Sequence, residues 1–177
     1  MLADHETLQE VGEADEVTLR SMGITRHQLA DALELAIESA KTYSTMYPTR
    51  GAFTLCGRRY TVELQSYMGF QESPFGGVPS HSEHLVRVTA PDDSKYCYGG
   101  ALPHMIRHNG FFQGATPAGQ AYQWCGVASF RVDPSECARF FGVYPGQRLD
   151  QLLAVARATP IVSSPSPVGP HSAPAAQ

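Results

Sequence analysis

The 177-residue chain lacks the patterns that mark several common classes of protein. No apolar run approaches the roughly 18 residues of a membrane-spanning helix, so we expect no membrane insertion. The phosphate-binding patterns G-x-x-x-x-G-K-[ST] and G-x-G-x-x-G are both missing and there are only two lysines, which argues against a nucleotide cofactor. G-x-S-x-G is absent too, so no local pattern indicates a serine hydrolase.

The cysteines are few and form no C-x-x-C pair, which argues against a zinc ribbon or a thioredoxin-like redox motif. They are Cys56, Cys97, Cys125 and Cys137. The amino end is acidic, whereas a secretory signal is basic and then apolar. We therefore predict a cytoplasmic protein whose cysteines are reduced and act as small hydrophobic residues.

Charge is scarce, at 17% of residues, and unevenly distributed. Residues 1–45 contain nine acidic and three basic side chains, whereas residues 46–157 contain eight acidic and ten basic. The formal charge of −4 therefore comes from the amino-terminal part of the chain. This acidity disfavours nucleic-acid binding, because non-specific affinity comes mainly from neutralising phosphates.

Composition divides the chain into three parts. Residues 1–24 are acidic with few bulky apolar side chains, and we predict them to be partly disordered. Residues 25–157 are predicted to form one globular domain. Residues 158–177 hold five prolines and no charged side chain, a composition typical of a disordered tail.

Several stretches show the three-and-four spacing of an amphipathic helix. The predicted helices occupy residues 24–43, 103–109, 134–141 and 145–158. In the first of these, Thr25 and Gln28 have the spacing of a capping box. The apolar face predicted for the last consists of Leu149, Leu152, Leu153 and Ala156.

The apolar period changes to two after Phe53, which predicts strands. Residues 58–68 alternate and pair with residues 52–57, and two further strands flank the turn "PDDS" at residues 91–94. Residues 121–132 are predicted to form another strand. The fold class is therefore α+β: a small, mostly antiparallel sheet of four or five strands with three to four helices on one face or end.

Two histidines lie four residues apart on the predicted helix 103–109. At about 100° per residue, Leu102, Met105 and Ile106 share one face, and His104 and His108 project together away from it. This spacing suits two ligands of one zinc ion. The candidates for a further ligand are His81, Glu83, His84 and Cys97. Met105 stands where H-E-x-x-H hydrolases carry their glutamate.

Other interpretations of this helix remain open. His104, Arg107 and His108 could form a cationic patch for a carboxylate or phosphate, favoured by the helix carboxyl end. A third interpretation is that they are solvated polar residues on an exposed face.

The segment 69–84 is predicted to be a long loop from its glycine, proline and serine content. Long loops are often functional, although this one could be a plain surface excursion. Its polar side chains suit acid–base chemistry or hydrogen-bonded recognition. They are Gln71, Glu72, Ser73, His81, Glu83 and His84. Just after the histidine pair, Phe111 and Phe112 are adjacent, so in an extended segment only one can face inward and the other is predicted to line a pocket or partner surface.

We favour a small non-enzymatic binding or adaptor protein of a bacterial or phage type, with another protein as its partner. Its predicted contact surface comprises loop 69–84, helix 103–109 and Phe111–Phe112. The binding residues proposed on it are Gln71, Glu72, Ser73, Arg107, Phe111 and Phe112.

Two alternatives come from other functional classes. One is a metal-dependent or His/Cys-based hydrolase, with zinc as the candidate metal, that uses His104 and His108 together with His81, His84 or Cys97. The other is a nucleic-acid accessory protein with several arginines on one face. Those arginines are Arg58, Arg59, Arg87, Arg107 and Arg131.

Overall fold

The computed structural model describes residues 7–43, 49–71, 81–112 and 132–158. Within these ranges the chain forms five helices and a four-stranded antiparallel sheet, which confirms the α+β class. The elements in chain order are α1 (Leu8–Ser21), α2 (Arg26–Tyr43), β1 (Thr49–Leu55), β2 (Arg58–Gln71), β3 (His81–Thr89), β4 (Lys95–Gly99), α3 (Leu102–Asn109), α4 (Pro134–Phe141) and α5 (Leu149–Ala158). Nearly all of the predicted strand 121–132 and of the predicted tail lies outside the described residues.

The sheet is an antiparallel meander in which the strands lie side by side in chain order. The first hairpin turns at Cys56 and Gly57, which have φ values of 52° and 73°. The hairpin of β3 and β4 turns at the predicted "PDDS", where the Ala90 N–H donates to the Ser94 carbonyl oxygen at 2.9 Å. The alternation predicted for β2 is confirmed on its inner face, where Tyr60, Val62 and Leu64 are buried.

The predicted loop 69–84 is shorter than expected because strands occupy both of its ends. β2 extends to Gln71, β3 begins at His81, and these two residues pair in the ladder. The pairing is made by backbone groups. Polar and glycine-rich strand ends do not show the apolar alternation that sequence patterns detect. Residues 72–80 lie outside the described residues.

Helix α1 forms within the segment for which the sequence predicts partial disorder. Its start is a reciprocal capping box: the Thr7 side chain accepts from the Glu10 N–H, and the Glu10 carboxylate accepts from the Thr7 N–H at 2.9 Å. Leu19 anchors the helix in the core. The acidic composition led to the prediction of disorder here, although T-x-x-E is itself a helix-start signature.

Helix α2 lies at the centre of the fold, packed against β1, β2, α3 and α5. It begins at the predicted capping box, in which the Thr25 N–H donates to Gln28 Oε1 at 2.9 Å. Its predicted apolar face is buried, including Leu29 and Leu33. The hydroxyl of Tyr98 on β4 donates to the Leu33 carbonyl oxygen at 2.6 Å, which ties the sheet to the helix.

Helix α4 forms where the sequence predicts it, whereas α5 begins at Leu149 and not at residue 145. Asp133 caps α4 by accepting from two backbone N–H groups, and Gly142 ends it with a φ of 67°. On α5, Leu149 and Leu153 are buried, but Leu152 is 44% exposed. The prediction that Leu152 belongs to the buried face is therefore wrong, because it stands at the margin of that face.

Strand β1 comes very close to helix α2 at Gly51. A Cβ atom at this position would lie 2.6 Å from the Ser39 carbonyl oxygen and 2.7 Å from Ala40 Cα. Both are backbone atoms of a buried helix and cannot rotate away. The missing side chain of Gly51 therefore sets the distance between helix and sheet.

Gly51→Ala is expected to lower the free energy of unfolding by about 1–3 kcal/mol, the usual cost of overpacking a core. Urea denaturation followed by circular dichroism measures the change. The matched control is Gly12→Ala in α1, where the new Cβ would lie 3.8 Å from the nearest neighbour. Alanine there should leave stability unchanged or raise it by up to about 1 kcal/mol. Equal effects of the two variants would contradict the close approach.

Candidate functional site

Helix α3 presents its two histidines as the sequence predicts. Leu102, Met105 and Ile106 are buried on the inner face. His104 is half-buried and His108 is exposed. Their ring centroids lie 4.3 Å apart, with the ring planes inclined by 38°. The two imidazoles therefore form a close pair at the surface, outside the core.

Arg107 turns away from the histidine pair and reaches α2. Its guanidinium nitrogens lie 2.6 Å from Asp31 Oδ1 and 2.6 Å from Glu34 Oε2. Partial burial lowers the pKa of Arg107, but the hydrogen bonds and charges of these carboxylates outweigh it and raise the pKa above its usual value. Glu34 also pairs with Arg157 of α5. Because Arg107 forms its ion pairs within the protein, we do not retain Arg107 as a partner-binding residue.

Phe111 and Phe112 have different surroundings, as their adjacency requires. Phe112 is 2% exposed and belongs to the core. Phe111 is half-buried and follows Gly110, which ends α3 with a φ of 64°. The Phe111 N–H donates to the Met105 carbonyl oxygen at 3.3 Å, which fixes the exit of the chain from the helix.

A groove of about 430 Å³ lies between α1 and the end of α3. Phe111 and Asn109 line the α3 side. The two sides approach each other at Gly12, where a Cβ would lie 3.8 Å from the Gly110 carbonyl oxygen. The charged side chains that line the groove are Glu13, Glu16, Arg20 and Arg26.

The charges of this groove balance. Two carboxylates face two guanidinium groups, and Glu16 Oε1 lies 3.7 Å from Arg26 Nη1. Amide groups and one aromatic ring complete the lining. A lining that is part aromatic and part polar without excess charge resembles the surfaces by which proteins bind one another.

The sheet separates two of the ligands predicted for a metal. His84 is on β3, and Cys97 of β4 pairs with Arg87. Side chains alternate along a strand and paired residues share a face, so His84 and Cys97 point to opposite sides of the sheet. Burial lowers the pKa of His84, and the charge of Lys41 lowers it further. His84 and Cys97 cannot converge on one ion.

The remaining predicted site residues add no metal centre in the described part of the chain. Gln71 and His81 are placed by their backbone pairing at the far ends of β2 and β3. Glu72 and Ser73 lie outside the described residues. Among the residues described, no group of three or more histidine, cysteine, aspartate or glutamate side chains could hold a metal ion.

Cys56 and Cys137 are free thiols. Cys97 and Cys137 are buried, whereas Cys56 is exposed at the first hairpin turn. Burial raises the pKa of Cys137 to about 12. Because the thiolate is the nucleophilic form, Cys137 is unsuited to covalent catalysis.

The predicted arginines Arg58 and Arg87 have separate partners within the protein. Arg58 donates to the Phe140 carbonyl oxygen at 3.1 Å. Arg87 and Arg50 both pair with Glu63, at 2.5 and 3.2 Å. Burial raises the pKa of Glu63, but the hydrogen bonds of the two arginines outweigh it and lower the pKa below its usual value.

Comparison with known proteins found no family model that matches the chain, and no curated protein or solved structure is significantly similar to it. None of the helices in the described ranges is both long and apolar enough to cross a bilayer. The function is therefore inferred from the geometry of the site.

Arg107→Gln is expected to lower the free energy of unfolding by about 1–3 kcal/mol, because it removes the cation from the poorly exposed carboxylate of Asp31 and one of the two arginines that pair with Glu34. Chemical denaturation measures the loss. The control is Arg148→Gln, which removes an ion pair to Asp150 with side chains 66% and 56% exposed. That change should stay within about 0.5 kcal/mol. A similar loss in both variants would contradict a special role for Arg107.

Glu63→Gln should reveal a pH-dependent contribution to stability. The folded pKa of Glu63 lies below its usual value of 4.5, so the charged carboxylate stabilises the fold above that pH. The contribution is lost as the pH falls through the folded pKa. The stability difference between wild type and Glu63→Gln, measured by urea denaturation, should thus shrink in acid.

Removing the main hydrogen bond that lowers this pKa provides the control. In an Arg87→Gln background the same acid-dependent difference should become smaller. A difference that stays constant from neutral to acidic pH would contradict the assignment.

Proposed function

We propose that the protein is a non-enzymatic binding module that recognises another protein through the groove between α1 and α3. The observation that supports this most directly is the half-buried Phe111 on the wall of a groove of about 430 Å³. Aromatic side chains beside a pocket are typical anchors of protein interfaces, where a few residues supply most of the binding energy.

The surroundings of the groove also favour a protein partner. Val17 directly follows the groove residue Glu16 in α1 and is 61% exposed. An exposed aliphatic side chain and a half-buried aromatic ring offer apolar area, and the balanced charges offer a polar rim. The groove has no excess of positive charge, which nucleic-acid binding would require.

This surface modifies the one predicted from sequence. It keeps Phe111 and the exposed side of α3, including His104 and His108. It omits Phe112, which is buried, and Arg107, which is paired within the protein. It adds α1, whose groove-lining residues lie far from α3 in the chain.

The proposal includes a cytoplasmic setting and an adaptor role in an assembly. The free thiols among the described cysteines suit a reducing compartment. A hydrolase remains less favoured, since the described residues gather only the two histidines of α3 close together.

Site-specific photocrosslinking tests the groove directly. p-Benzoylphenylalanine at position 111, introduced in the cells that make the protein, should give a discrete covalent adduct with one partner, identified by mass spectrometry. The same group at Leu152, which is 44% exposed on α5, is the control and should not give that adduct.

A charge reversal in the groove sharpens the test. Arg20→Glu should abolish the adduct formed from position 111, whereas Arg139→Glu on the exposed side of α4 should leave it intact. Absence of any adduct at position 111, or the same adducts from both crosslinker positions, would refute the proposed groove.

A further inference from the structure

We propose that His104 and His108 form an open two-imidazole site for a divalent transition metal ion such as Zn²⁺, Ni²⁺ or Cu²⁺. This is a binding site, distinct from the hydrolase centre considered above, because Met105 stands where a catalytic glutamate would be required. The proposal does not depend on the function of the neighbouring groove.

The spacing of the two rings fits one shared ion. A metal bound at about 2.0–2.1 Å from a ring nitrogen lies about 3.2 Å from the ring centroid. Two ligands at the right angles of a square-planar Cu²⁺ or Ni²⁺ site then put their centroids about 4.5 Å apart, and tetrahedral Zn²⁺ puts them about 5.2 Å apart. The observed separation is 4.3 Å. Residues four apart on a helix lie side by side on one face, so rotation of the two side chains can bring one nitrogen of each ring onto a shared ion.

The helix holds the pair in this arrangement before any ion arrives. Leu102 and Ile106 are fully buried, and Arg107 is bound to α2 through two carboxylates. Because α3 is fixed on these sides, ion binding costs little ordering of the backbone. Preorganisation of this kind favours affinity.

The chemistry of the ligands indicates the class of ion. Neutral imidazole prefers zinc, nickel and copper, whereas calcium and magnesium prefer oxygen ligands. An ion takes one nitrogen from each ring, so the other nitrogen can keep a hydrogen bond that orients the ring. His108 is exposed, which leaves further coordination positions open to water or to a donor from another molecule.

Calorimetric titration with the metal ion alone tests the site. The full chain, untagged and stripped with a chelator, should bind one Ni²⁺ or Zn²⁺ per chain, more weakly in acid because protons compete for the imidazoles. His104→Ala and His108→Ala should each reduce the affinity at least about tenfold, since even residues behind a ligand have effects of that size. His27→Ala, which removes an exposed histidine of α2, should change nothing.

A rearranged variant separates the paired site from the general histidine content. His108→Ala combined with Asn109→His keeps all seven histidines but turns the second imidazole by about 100° around the helix. It should bind as weakly as His108→Ala, and the ion should raise Tm only in proteins with the original pair. Wild-type affinity in the rearranged variant, or no saturable binding by the wild type, would overturn the proposal. Crosslinking from position 111 is carried out with the original His108 and Asn109, so its outcome is independent of either result.

Discussion

The distance between helix α2 and the sheet determines the position of α3, the helix on which both candidate sites depend. At Gly51 the backbones of helix and strand touch with no side chain between them. That contact lets the Leu33 carbonyl oxygen meet the Tyr98 hydroxyl. From the same helix, Asp31 and Glu34 hold Arg107 and so fix α3. A wider separation between α2 and the sheet would loosen α3. Both the groove and the histidine pair depend on the position of α3.

The sides of the short helix α3 have different surroundings. One face is buried in the core, Arg107 reaches α2, and the outer side carries the paired imidazoles. Its carboxyl end turns at Gly110 and delivers Phe111 to the groove beside α1. The groove and the histidine pair are therefore neighbours at one end of α3. A partner in the groove would come close to the open coordination positions of an ion.

Periodicity and capping residues predicted most of the local structure, because both act within a few residues. They placed α2, α3, α4 and the hairpins, and the outward histidine pair followed from helix geometry alone. The paired ends of β2 and β3 were not predicted, because backbone pairing requires no particular pattern of side chains. The role of Arg107 and the groove at α1 required knowing which distant elements meet. No local pattern contains that information.

The side-by-side order of the strands bears on how the molecule folds. Each strand pairs with its neighbour in sequence, so the sheet grows by closing short segments at low entropic cost. Glu34 on α2 and Arg157 on α5, in contrast, are 123 residues apart in the chain. Contacts of such long range form slowly compared with local ones. The meander is thus suited to serve as an early template, and the docking of α5 onto α2 as the step that completes the native state.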